Sequence, residues 1–224
     1  IYNNVNIFKK PLEYIDFNEK ISLNKNYRQQ KNIIDFSNRF CENANEYIKT
    51  LRNNVNRDLY KKSNSILKNE INAILWEIEY LVKNKGLDYG DIAIVFPYNK
   101  KKLKNGKTIY FQYLLRKALD DVNISYIIGD DDLTKHAKKT GITLSNLYFI
   151  KNLEYKAVVF CELEMLYNQT INKEDQDYQI NDFIGDLNKI YMVINRASEY
   201  LTITTTFNEN SSELIKILVN SINT

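Results

Sequence analysis

The sequence predicts an α/β fold, a parallel sheet with helices packed on both of its faces. Two observations carry that expectation. From residue 86 onward, strand-like apolar runs alternate with segments of helical period, the order that places crossover helices between parallel strands. Two of those runs, "IAIVF" at 92–96 and "KAVVFCEL" at 156–163, are mostly apolar rather than alternating, as expected of strands buried on both faces. With 224 residues the chain can bury a sizeable core, and no internal repeat or linker divides it.

Taken in order, Ile21 to Leu23 is expected as a short strand leading into "NKNYRQQ". From Lys31, the residues Ile33, Ile34, Phe36, Phe40 and Ala44 follow helical spacing. Residues 49–62 are polar and are expected to be irregular. A second long helix puts Ile66, Ile71, Ile74, Leu75, Ile78 and Leu81 on one face and stops at Gly86. A strand at 92–96 then leads through a lysine-rich loop to a helix at 111–122. Further strands are expected at 124–129, 141–146 and 156–163. Residues 183–197 suit a helix, "YLTITTT" at 200–206 a β-branched strand, and 211–221 a closing helix. Sheets of this kind bind ligands beyond the carboxyl ends of their strands, so chemistry is expected there.

Composition narrows the function classes. The net charge of +3 is too mild to signal nucleic-acid binding by itself. The lysine clusters at 100–107 and at Lys135, Lys138 and Lys139 suit solvated loops. No run approaches the roughly 18 apolar residues of a membrane span, and the N-terminus carries no signal pattern. The two cysteines, Cys41 and Cys161, lie far apart in apolar segments, which suits free thiols in a reducing cytoplasm. A single histidine and no Cys-x-x-Cys leave no ligand set for zinc.

Gly106-Lys107-Thr108, between an apolar strand and a helix, has the layout of a phosphate-binding loop. The first glycine of that motif lets the backbone turn its N–H groups onto phosphate. Here its position holds Lys101, and no residue from Pro97 to Asn105 is glycine. The match is a decoy.

Three other segments fit together: "LNKNYRQQKNII", "ITLSNLYFIKNLEYKAVVF" and "IYMVINRASEYLTI". In this order they resemble the C-terminal motor domain of superfamily 1 DNA helicases of the UvrD/Rep type. That family has Asn-Tyr-Arg before a helix, a Lys-Gly-Leu-Glu-Phe segment running into an apolar strand, and Thr-Arg-Ala before a final strand. "DYGDIAIVF" and "VNISYIIG" are similar to two further strands of the family, and Ile1-Tyr2 to the end of its first motor domain. The resemblance implies a RecA-like three-layer lobe without its own P-loop. Residues 1–20 would be a connector from a first motor domain, and 21–224 the second.

The resemblance also implies roles. Arg28 and Arg196 take the positions of arginine fingers, whose planar, permanently charged fork suits a transferring phosphoryl group. Tyr27 takes that of the adenine-stacking aromatic and Glu154 that of the ribose-binding glutamate. Asn99, Asn146, Tyr148 and Lys151 fall where the family contacts DNA. The implied cofactor is ATP with Mg2+, held mainly by an N-terminal RecA-like domain of the same polypeptide. The implied partner is single-stranded DNA. Without the phosphate loop and magnesium carboxylates, these residues alone are not expected to hydrolyse ATP.

The sequence departs from the family at four places: Asn146 for Thr, Tyr148 for His, Asn152 for Gly and Asn195 for Thr. The large helical insertion before the Lys-Gly-Leu-Glu segment is also missing. These departures keep open an alternative, a degenerate, non-catalytic helicase-like module that binds DNA or serves as a scaffold in a repair complex.

Overall fold

β1 (Ile92–Phe96) is the apolar run at the centre of the sheet, and all five of its residues are buried. The computed structural model describes residues 26–53, 67–102, 106–129, 140–151, 153–163, 166, 176–205 and 211–222. β1 pairs in parallel with β5 (Ile142–Asn146) on one side and β6 (Tyr155–Phe160) on the other. β4 (Tyr126–Ile128) and β7 (Ala197–Ile203) complete a five-stranded parallel sheet in the order β4-β5-β1-β6-β7.

Alternate residues of a strand face opposite sides, and here both sides are apolar. Ala93, Val95, Val158 and Phe160 face a core formed with α1 (Lys31–Asn53), α4 (Gln176–Ile194) and α5 (Glu213–Ile222). Ile92, Ile94, Phe96, Ile142, Leu144 and Val159 face a second core formed with α2 (Leu67–Lys85) and α3 (Phe111–Asp121). The expected sheet covered on both faces is therefore present. Ile33, Phe36, Phe40, Ala44 and Ile48 form the buried stripe of α1. Gly86, at φ +69, closes α2 as expected, its N–H donating to the Val82 carbonyl.

Several boundaries differ from the sequence reading. α1 continues to Asn53, because Ile48 is still buried on its stripe and adding a helical residue costs little once the helix exists. α4 begins at Gln176 and ends at Ile194, and β7 begins at Ala197 rather than Tyr200. The apolar "YMVI" fits helix or strand equally by period, and only the pairing of Ala197 with Tyr155 sets the boundary. The lysine-rich loop contains an antiparallel hairpin, β2 (Lys100–Lys102) with β3 (Thr108–Tyr110). Gly106, at φ +79, lies just before β3, so Gly106-Lys107-Thr108 belongs to a hairpin, not to the mouth of a parallel strand.

The connection from β5 to β6, residues 147–154, crosses beneath β1 from one end of the sheet to the other. Its described residues hold no helix, whereas such crossovers usually take a dozen residues or more. Leu147 and Ile150 bury themselves in the α1/α4/α5 core on the way. Cys41 is half-buried and Cys161 buried, neither in a disulfide, and burial, with Glu42 adding to it, pushes the Cys41 thiol up to about 12. No described helix is long and apolar enough to cross a membrane. The expected strand at Ile21–Leu23, the connector 1–20, Lys135, Lys138, Lys139 and Asn152 lie outside the described residues.

Candidate functional site

The Asn-Tyr-Arg segment is shaped by the residue that begins it. The Asn26 side-chain oxygen accepts the N–H groups of Arg28 at 3.0 Å and Gln29 at 3.2 Å, an Asx turn. Its amide donates to the Gln29 side-chain oxygen at 3.1 Å. Gln29 Nε2 then donates to the Ala197 carbonyl at 3.0 Å, and the Gln30 N–H to that of Ser198 at 2.7 Å. The Gln30 carbonyl accepts from Ile33 and Ile34 and so starts α1. The turn is thus fastened to the amino end of β7.

From this turn Arg28 reaches across to the residue before β6. Its Nη1 donates to Glu154 Oε1 at 2.8 Å and its Nη2 to the Asn195 carbonyl at 3.0 Å. Both side chains remain about half exposed, at 43% and 51%. Arg196 stands beside them, in the turn between α4 and β7. Its Nε donates to the Met192 carbonyl at 3.2 Å, and its own carbonyl accepts the Tyr155 N–H at 3.0 Å. Burial and then the charge of Arg28 lower the proton affinity of Arg196, while Glu154 opposes them. Tyr27 projects into solvent, 88% exposed.

The structure therefore brings Arg28, Glu154 and Arg196 together, with Tyr27 adjacent in sequence to Arg28. They sit at the amino ends of β6 and β7, not at the carboxyl ends where chemistry was expected. The turns that enter these two strands carry the charges.

Asn99, Asn146 and Tyr148 lie at the other end, at or just beyond the carboxyl ends of β1 and β5. Asn99 Oδ1 accepts the Gln112 N–H at 3.0 Å and its amide donates to Gln112 Oε1 at 3.2 Å. Its carbonyl accepts the Phe111 N–H at 2.9 Å, so Asn99 caps the start of α3. Asn146 Oδ1 accepts the N–H groups of Tyr148 at 2.8 Å and Phe149 at 3.3 Å, a second Asx turn. That turn presents Tyr148 with 55% of its surface exposed. Lys151 is half-buried on the connection between the two ends.

Sequence reasoning missed a buried cluster behind Tyr148. Lys189 Nζ donates to Asp186 Oδ1 at 2.7 Å and to the Tyr98 hydroxyl at 3.3 Å. Burial pushes Asp186 up to about 6 although Lys189 opposes it. Burial also raises the Tyr98 phenol, with Tyr148 among the smaller contributors. The signal was present as Asp-x-x-Lys within an apolar helical stretch. Asn195, one of the departures, donates its amide to the Tyr191 carbonyl at 2.8 Å and so finishes α4.

No protein-family model and no curated protein matches the chain. Among solved structures it is similar to the C-terminal domain of a possible DNA helicase from Lactobacillus plantarum WCFS1. That match has 17% identity over 87% of this chain and 94% of the other, with a TM-score of 0.49. It is also similar to the Sulfolobus solfataricus SWI2/SNF2 ATPase core in complex with dsDNA, with 13% identity over 89% of this chain and 36% of the other, at a TM-score of 0.43.

Proposed function

We propose that the chain is the second motor lobe of an ATP-dependent DNA helicase or translocase of the UvrD/Rep type. One observation carries the reading. Two guanidiniums share one partly exposed site with a single carboxylate, and the charge of Arg28 adds to burial in lowering the proton affinity of Arg196. Such a site has surplus positive charge and fits an anion, and a planar fork fits phosphate oxygens.

ATP with Mg2+, held mainly by a first lobe, would supply the phosphoryl group and its leaving diphosphate. This chain's own residues orient and stabilise. Arg196 is anchored through Nε, which leaves its terminal nitrogens to donate outward. Arg28 is held ready by Glu154 and the Asn195 carbonyl. Tyr27 offers a flat face to a purine. At the far end Tyr148 offers a ring for stacking single-stranded DNA.

A second reading, the degenerate module, has its own observation. Arg28 already satisfies its fork within the chain, and the side-chain oxygens of Asn99 and Asn146 already accept backbone N–H groups. ATP hydrolysis by the full-length gene product, with and without single-stranded DNA, separates the two. The motor reading expects stimulation by DNA and a loss of about 10³-fold or more in Arg196→Ala. A rate indifferent to both DNA and Arg196 would leave the module reading.

A further inference from the structure

We infer that the β2–β3 hairpin and the first turn of α3 form a second contact for single-stranded nucleic acid, continuous with Tyr148. This inference rests on the motor reading above. The lysine run suits a solvated loop on sequence grounds, but its first three residues, Lys100–Lys102, are paired strand. Register sets Lys100 opposite Tyr110, Lys101 opposite Ile109 and Lys102 opposite Thr108. Lys100 and Lys107 are exposed, and Lys100 Nζ lies 5.9 Å from the centre of the Tyr110 ring.

Aromatic rings share this surface. Tyr110 and Tyr113 are 47% and 64% exposed, and with Tyr148 they make three of the five exposed tyrosine and tryptophan side chains among the described residues. Large rings left in water beside lysines suit a ligand with both flat faces and negative charge. Single-stranded nucleic acid is such a ligand, because its unpaired bases stack and its phosphates attract ammonium groups.

Position supports the same occupant. The hairpin leaves the sheet directly beyond β1, at the end where β5 presents Tyr148. The bond from the Phe111 N–H to the Asn99 carbonyl fixes the exit of the hairpin to the strand end. A strand passing Tyr148 would therefore have a charged, ring-bearing ledge beside it.

Fluorescence anisotropy of a labelled oligothymidylate with the full-length protein, across a salt series, tests this. Each lysine that neutralises a phosphate adds about 0.7 to the slope of log affinity against log salt for single strands. Replacing Lys100 and Lys107 together by alanine should lower that slope by about 1.4. Tyr113→Ala should weaken binding about tenfold while leaving the slope unchanged. If the unaltered protein binds and both variants bind identically to it, the hairpin inference falls and the motor reading stands. If the unaltered protein does not bind at all, both fall.

Discussion

Arg28 and Glu154, separated by 126 positions in sequence, meet in a 2.8 Å hydrogen bond that ties the entry of α1 to the entry of β6. Both partners are about half in water, so the pair adds little to stability, about 0–1 kcal/mol. Glu154→Gln should accordingly leave the urea midpoint nearly unchanged. Its effect should appear in the KM for ATP, measured on the full-length protein.

Charge alone is not expected to suffice at position 196. Arg196→Lys keeps the positive charge but loses the planar fork and the anchor on the Met192 carbonyl. Its DNA-stimulated ATPase rate should stay well below that of the unaltered protein, by at least about tenfold. Full activity in the lysine variant would mean that Arg196 acts only through its charge.

Tyr27 gives a clean separation of binding from folding. With 88% of its surface in water, the ring is little packed against the described residues. Tyr27→Ala should raise the KM for ATP about tenfold with no change in thermal midpoint, and Tyr27→Phe should restore it.

Asp186 predicts a pH dependence of stability. Its folded value, about 6, lies above its ordinary 3.8 because burial disfavours the carboxylate. A folded state that holds the proton more tightly is favoured while the group is protonated. The contribution is therefore present below about 4 and lost as pH rises through about 6. Urea denaturation between these limits should show a downward trend from this group, and Asp186→Asn should flatten it.

Gly141 tests the approach of β5 to the turn before β4. A Cβ there would stand 2.7 Å from the backbone carbon and oxygen of Ser125, which cannot move aside as a side chain could. Gly141→Ala should cost about 1–3 kcal/mol, seen as a lower urea midpoint at unchanged slope.

How much of this was legible in the sequence depends on where the determining contact lies. β1 and β6 stood out because burial on both faces removes polar residues from the run. The stripes of α1, α2 and α3 stood out because one apolar face repeats with the helix. The hairpin did not, since lysines carry no apolar period and its pairing is set by register. The β7 boundary did not, since Ala197 is strand only by virtue of Tyr155. Motif order supplied Arg28, Glu154 and Arg196 as candidates. Their meeting at the amino ends of the strands could not be read locally, because it is made by Asn26, Gln29 and two strand entries far apart in sequence.

The short connection 147–154 sets a limit on independent motion. Nine Cα steps separate Asn146 from Tyr155, about 30 Å if fully drawn out. The path must cover a strand's length, about 17–20 Å, and two strand spacings, about 10 Å. The turn after Asn146 takes up part of the reach. The strand length and the spacings are perpendicular and combine to about 20–22 Å, while Leu147 and Ile150, buried in the α1/α4/α5 core, hold the path between the two ends. Held at those two residues, the segment ties the two ends of the sheet together.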